Sequence, residues 1–525
     1  MPRRLGTWKA RFFLGLGFEI VLATLVLVLP RDSRPGAYTF NFLVVSHFVP
    51  IALLTGIDTA PAVALLFGFT AVVGLMMVWG ALLDWGCRQA STAWKRLGYG
   101  PRSGKWAAGV LALVALAAIG FAMADATQDS PRSFALTTEL QAAVDGNNAF
   151  ALELYRKLAD RPGNVFFSPS SLSSAMGMVY AGARGRTAQE IAATAHLPTK
   201  PEQSAKALGE WRRRCGQVER RWGKVQLRVA NSLWVQDSKT PRAEFVELLR
   251  SEYRAEARRV DFKKSADSAA AQINAWARQQ TGGRFAQIAD PKQLDSRTRL
   301  FLCNAIYFKA RWASRFKEKD TRSRPFSITG AKTVSVPTMT QKAYFKTIRL
   351  EDANATLLEL PYYGRDLSMV IILPDDVEGL GELERELAPA ELKSWCNKLA
   401  QAEPRETVVA LPRFSTAQTI PLKQALVSLG MQAAFCEGDS KGNGADLSGI
   451  DGTQNLYLSQ AVQQAVVEVN ESGTEATAIN WVVARAKSMP NRFIVDRPFL
   501  FMIHDNATDA LLFMGRIVDP STTLQ

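Results

Sequence analysis

Histidine is almost missing from this chain: His47, His196 and His504 are the only ones in 525 residues. None stands at ligand spacing from a cysteine or a second histidine, so no metal centre is expected. Cysteine is sparse as well. The five residues Cys87, Cys215, Cys303, Cys396 and Cys436 form no framework, and an odd, unpatterned set reads as mostly free thiols. The sequence has no phosphate-binding glycine loop and no internal repeat. One nucleophile pattern, G-x-S-x-G, occurs at Gly438–Gly442, but it lies in a Gly- and Asp-rich stretch without the strand before and helix after that would expose a serine on a strained turn. Neither an enzyme nor a cofactor is expected.

Acidic residues are in deficit, 49 against 63 Lys and Arg, for a formal charge of +14. Residues 1–125 hold eleven Lys/Arg and five Asp/Glu, so +6 of that charge sits there and +8 remains for the rest of the chain. A surplus spread in this way is weak support for a polyanionic partner, and a nucleic acid is not expected.

Long apolar runs occur only near the start. Phe12–Leu29, Ala60–Leu83 and Trp106–Ala124 are each long enough to cross about 30 Å of hydrocarbon at roughly 1.5 Å per residue, and Glu19 is the only charge inside them. The run Phe40–Ile57 is interrupted by Asn41, His47 and Pro50 and reads as interfacial or re-entrant. Basic residues flank the spans unevenly. Arg3, Arg4, Lys9 and Arg11 precede the first, and Arg88, Lys95, Arg96, Arg102 and Lys105 follow the second, whereas 30–59 carries no net excess. Residues 1–125 are therefore expected to be an all-α membrane module of three helices that leaves the remainder on the outer face, extracellular or periplasmic. Residues 126–146, polar and containing Ser130-Pro131, read as a linker.

From Asn147 onward helix and strand patterns alternate without a regular βαβ period. Ala149–Leu158 has helical spacing, and Ser168-Pro169-Ser170 reads as a loop entering a second helix. Leu227–Gln236, Leu300–Lys309, Thr356–Leu360, Met369–Leu373, Thr407–Leu411, Gln464–Val469 and Phe499–Ile503 read as strands. The class is α+β with mostly antiparallel sheets.

The segment Val467–Ser488, VEVNESGTEATAINWVVARAKS, reads as a strand without a place in a sheet. Thr474, Ala476, Ala478, Asn480, Val482 and Ala484 share one face, which is small and mostly apolar, as suits a segment that slides between strands already packed. Gly473 supplies a pivot. The basic residues Arg485 and Lys487, set among the small Ala486 and Ser488, give the end of the segment the look of protease bait.

EVNESGTEATA resembles the hinge of a serpin, and the resemblance extends from Asn147 to Pro520. It includes NVFFSPSSLSSAMGMVYAGARGRTAQEI (164–191), ANSLWV (230–235), LCNAIYFKARW (302–312), LELPYYGRDLSMVIILP (358–374), ADLSGI (445–450) and FIVDRPFLFMI (493–503). It implies one large five-stranded sheet, two smaller ones, a shell of helices and an exposed reactive loop. It implies further that Glu471, Gly473, Thr474, Glu475, Ala476 and Ala478 form the hinge, that Ser168, Ser171 and Asn304 form a shutter beneath the large sheet, and that Trp312 is the breach tryptophan. Where most members have His-Lys in the shutter strand, this chain has Gln463-Gln464. The family's spacing, counted from Glu471, puts the scissile bond at Lys487–Ser488, with Arg485 as the competing bait; the spacing to Phe493, which is expected to open the next strand, agrees.

The function so implied is suicide inhibition of a trypsin-like serine protease by a membrane-tethered monomer. The alternative is a non-inhibitory serpin fold that serves as an interaction module; Ile479 and Asn480, which depart from the expected small pair, favour it. A second candidate role is polyanion binding. Lys206, Arg213 and Arg220 recur every seven residues, with Arg214 and Arg221 beside them, on a segment resembling the helix that some serpins use for glycosaminoglycan. The same spacing also serves an ordinary solvated face, and Gly209 and Gly216 weaken the helix on which it depends.

Overall fold

Helix α1 (Thr138–Ala159) starts inside the stretch read as linker. Thr137 caps it by accepting from the Leu140 backbone N–H, and Leu140, Ala143, Val144 and Asn147 are buried, so tertiary packing draws the helix eleven residues further back than its apolar spacing indicates. The computed structural model describes residues 136–522, apart from 223–224, 282, 284–286, 439–443 and 472–489, with backbone alone for 217–222. The chain divides into two units, Met1–Ala122 and Met123–Gln525, and the described residues belong to the second. The three expected membrane spans, the loop from 472 to 489 and the Ser440 motif lie outside the described residues. Among the described residues no helix is long and apolar enough to cross a membrane.

After α1 come β1 (Val165–Phe167), α2 (Pro169–Gly182), α3 (Gly185–Thr194), α4 (Pro201–Trp222) and β2 (Val225–Gln236). Then follow α5 (Ala243–Leu248), β3 (Glu256–Val260), α6 (Ala266–Gln280), β4 (Leu300–Ala310), β5 (Arg322–Thr329), β6 (Lys332–Phe345), β7 (Thr347–Leu350), β8 (Ala355–Pro361) and β9 (Leu367–Pro374). The chain closes with α7 (Leu380–Glu386), α8 (Pro389–Gln401), β10 (Arg405–Pro412), β11 (Phe414–Pro421), α9 (Lys423–Ser428), α10 (Ser448–Asp451), β12 (Leu458–Val469), β13 (Asn491–Ile494), β14 (Phe499–Asp505) and β15 (Ala510–Ile517). Each of the seven strands read from pattern between Leu227 and Ile503 falls inside one of these, whereas most of the further strand reading, Val467–Ser488, lies outside the described residues.

The strands form three sheets: β11-β12-β4-β2-β3, β1-β15-β14-β9-β8-β7 and β13-β10-β6-β5. The second has six strands and so exceeds the five-stranded one in strand number, contrary to the expectation of two smaller sheets, because the short β1 and β7 extend its edges. Phe493 does not open its strand either; β13 begins at Asn491 and ends at Ile494.

The core lies between the five- and six-stranded sheets. Phe166 stacks against Phe513 at 5.4 Å and Phe501 at 5.8 Å, and Phe308 packs edge-on to Tyr362 at 5.2 Å. Such pairs add about 0.5–1.5 kcal/mol each beyond their burial. Helix α2 is buried on nearly every face, as its long apolar composition requires, and so must enter and leave through satisfied backbone caps.

Candidate functional site: the β4/β12 seam and the hinge root

At the middle of the five-stranded sheet β4 and β12 run parallel, paired from Phe301↔Gln460 to Phe308↔Val467, while β2 and β11 flank them antiparallel. The segment expected to be the hinge follows β12 directly in the sequence. Everything that holds this seam shut is therefore part of the site.

Beneath the seam sits a closed polar network. Ser168 caps α2: its Oγ accepts from the Ser171 N–H at 3.3 Å and donates to the Leu512 carbonyl at 2.7 Å, while Pro169 fills the first helical turn, where a missing N–H costs nothing. Gln463 reaches down from β12. Its Oε1 accepts from the Ser168 N–H at 2.9 Å, and its Nε2 donates to the Ser168 carbonyl at 3.0 Å and to Asn304 Oδ1 at 2.6 Å. Asn304 Nδ2 then donates to Ser171 Oγ and to Asn231 Oδ1. Ser168, Ser171, Asn304 and Gln463 are thus brought together, all fully buried or nearly so. A network of this kind holds because each member is satisfied; a buried amide without partners would cost about 1–3 kcal/mol.

Asn231 was not singled out in the sequence, although it lies in the ANSLWV block. It stands directly opposite Asn304 in the β2/β4 register, and a strand pairing was needed before the two amides could be seen to share a face. The neighbouring Gln464 points to the opposite face of the sheet, where its Nε2 donates to Thr419 Oγ1 at 3.0 Å and to the Gln287 carbonyl at 3.3 Å.

At the top of the seam Trp312, two residues past β4, stacks on Tyr362 at 4.5 Å, and its indole N–H donates to the Asn470 carbonyl at 3.0 Å. The next residue, Glu471, is 2% exposed. Both of its carboxylate oxygens accept from Arg413 Nε, at 2.5 and 2.6 Å, and the Thr321 hydroxyl donates to Oε1. Burial by itself would raise this carboxyl, but the bonds from Arg413 and then Thr321 outweigh it and hold it below the ordinary glutamate value. Arg413 and Thr321 carry no motif of their own. They become partners of Glu471 only because the sheets bring β11, β5 and the end of β12 to one corner. Of the remaining predicted residues, Gly473, Thr474, Glu475, Ala476, Ala478, Arg485, Lys487 and Ser488 lie outside the described residues.

The basic helix is α4, continuous over Pro201–Trp222 despite its glycines. Gly209 has a packing reason: a Cβ there would lie 2.1 Å from Glu252 Oε2. Lys206 and Arg213 are exposed, but Arg213 Nη1 pairs with Glu252 at 3.0 Å, and Arg214 is turned partly inward. These three do not form one free stripe, and the side chains of Arg220 and Arg221 lie outside the described residues. The described cysteines, Cys215, Cys303, Cys396 and Cys436, are free thiols.

The family model described as Serpin (serine protease inhibitor) matches residues 145–520. This chain belongs to the serpin family. The leukocyte elastase inhibitor of Bos taurus is 37% identical over 383 residues, covering 71% of this serpin and 98% of the relative. That of Homo sapiens is 36% identical over 382 residues, covering 71% and 98%. Among solved structures, uncleaved ovalbumin superposes with a TM-score of 0.65 at 29% identity, over 72% of this serpin and all of that chain. The α+β serpin fold and its three sheets are thus established for the second unit.

Proposed function

We propose that this serpin is a membrane-tethered, monomeric inhibitor of trypsin-like serine proteases, not a catalyst, that offers Lys487–Ser488 as a bait bond. The observation that carries the reading is the parallel seam between β4 and β12 with the hinge rooted at its top. A segment that follows β12 and turns back at Gly473 runs antiparallel to β12, and therefore antiparallel to β4 too. Inserted between them, it replaces one parallel ladder with two antiparallel ones, which are somewhat more stable per residue and twice as many. The native state withholds that strand, so a barrier rather than its free energy keeps it active.

The protease serine attacks the Lys487 carbonyl and forms an acyl-enzyme, with the new amino terminus at Ser488 leaving. Insertion of the freed segment before hydrolysis carries the tethered protease along the sheet and distorts its site. Lysine at the bond suits a primary pocket that ends in a carboxylate, because an apolar pocket would bury an unpaired ammonium. The inhibitor names of the relatives support protease inhibition as the class, while the lysine, with Arg485 as second bait, is what argues for trypsin-like targets.

Limited cleavage between 472 and 489, followed by thermal melting, tests the insertion. A large rise in melting temperature is the expected outcome; no rise would favour the interaction module instead. Tethering with the second unit on the outer face rests on the apolar runs and their charge asymmetry. Protease shaving of intact cells or spheroplasts should remove residues after Asp125, and survival of that region until the membrane is broken would overturn the topology.

A further inference from the structure

Two charged side chains cross the seam on the face opposite the buried polar network. The β4/β12 ladder ends at Phe308↔Val467, and the next residues along the two strands are Lys309 and Glu468. Gln463 and Asn304 point into the core, so Glu468 and Lys309, each an odd number of positions further along its strand, point to the other face. There they meet. Lys309 Nζ lies 3.5 Å from Glu468 Oε2, with 30% and 28% of the two side chains in solvent.

Among the described residues this is the ion pair that joins β4 to β12. The strands on either side offer neither partner a substitute, because Gln226 of β2 stands opposite Lys309 and Ser415 of β11 stands opposite Glu468. The carboxylate is tied further up as well. Its Oε1 accepts a long bond from Asn470 Nδ2 at 3.5 Å, and the Asn470 carbonyl in turn takes the Trp312 indole N–H. A strand that follows β12 and enters between β12 and β4 meets this pair before the first rung of the ladder.

We propose that Lys309 and Glu468 form a salt-sensitive clasp that sets the rate at which the seam opens to the inserting strand. The clasp rests on the insertion reading above and names what regulates it. The pair is made while the seam is closed and lost as it parts, so it lengthens the life of the native state by raising the opening barrier. Partial exposure makes its effect a few-fold change in rate and not a block. Dissolved salt weakens it further, since the screening length falls to about 3 Å at 1 M.

The test follows uptake by the full-length chain of a fluorescent peptide copying residues 474–487, TEATAINWVVARAK, at low salt and at about 1 M potassium chloride. Lys309→Met and Glu468→Gln should each take it up about two- to fivefold faster than the parent at low salt. High salt should speed the parent toward the variants and leave the variants nearly unchanged. The exchanged pair, Lys309→Glu with Glu468→Lys, should bring uptake back to within about twofold of the parent, which loss of packing at either position would not do. Single variants no faster than the parent, a parent rate indifferent to salt, or an exchanged pair as fast as the single variants would overturn the clasp, while uptake itself upholds insertion. A parent that takes up no peptide would overturn the insertion reading and the clasp with it. Unaltered far-ultraviolet circular dichroism in each variant separates a faster seam from a damaged fold.

Discussion

Arg413 Nε lies 2.5 and 2.6 Å from the two carboxylate oxygens of Glu471, a residue 2% exposed just past the end of β12. Arg413 itself keeps 43% of its side chain in solvent, so the pair is screened from one side only. It fastens the chain just past the end of β12 to the start of β11.

Removing the acid should loosen that corner. Glu471→Ala is expected to cost about 1–3 kcal/mol, below the usual figure for a fully buried pair because Arg413 remains hydrated. Because the folded carboxyl lies below its ordinary value, its contribution is present above about pH 4.5 and is lost as pH falls below that. Denaturant midpoints measured from pH 7 to pH 3.5 should therefore fall less steeply in Glu471→Gln than in the parent; parallel curves would contradict the assignment.

Gln463 holds Ser168 by a donor and an acceptor at once, which a protonated imidazole cannot do. Gln463→His should leave stability near that of the parent at pH 8 and reduce it as pH falls through the imidazole range, since burial opposes the charged form and the unfolded chain takes up the proton more readily. Gln463→Ala should cost roughly 2–4 kcal/mol at every pH, from buried groups left unpaired. Melting the three proteins at pH 8 and pH 5.5 checks both statements.

The bait assignment has a covalent readout. Lys487→Ala should abolish the denaturant-resistant complex with trypsin or leave a substrate cut at Arg485. Thr474→Arg should leave cleavage intact but block trapping, because the charge would have to enter the sheet at the first step of insertion, at a cost of several kcal/mol. A denaturing gel and mass spectrometry of the released peptide read both outcomes. A complex unchanged by Lys487→Ala would end the bond assignment, and one unchanged by Thr474→Arg would end the hinge mechanism.

Polyanion binding at α4 would appear as faster inhibition with added heparin-like polymer, an effect that fades with salt. Quadruple replacement of Arg213, Arg214, Arg220 and Arg221 by Ala should remove it. With Arg213 already engaged by Glu252, the acceleration should be modest. Rates indifferent to the polymer in the parent protein would leave α4 as a solvated surface.

The strands at Leu300–Lys309 and Leu227–Gln236 were legible because buried strands are written as apolar runs, and the start of α2 because Ser168-Pro169 states its own capping chemistry. Ser168, Ser171, Asn304, Gln463 and Trp312 could be named from the family's pattern before any geometry was known. The start of α1 could not, since only packing against the rest of the molecule makes helix of a polar stretch after Thr137. Nor could Asn231 opposite Asn304, Arg413 and Thr321 on Glu471, or the engagement of Arg213 by Glu252. Local patterning is set by each residue's neighbours in the chain, whereas those partnerships join residues 39 to 150 positions apart. Which polar groups meet is decided by strand register and sheet stacking, and these exist only once the chain has folded.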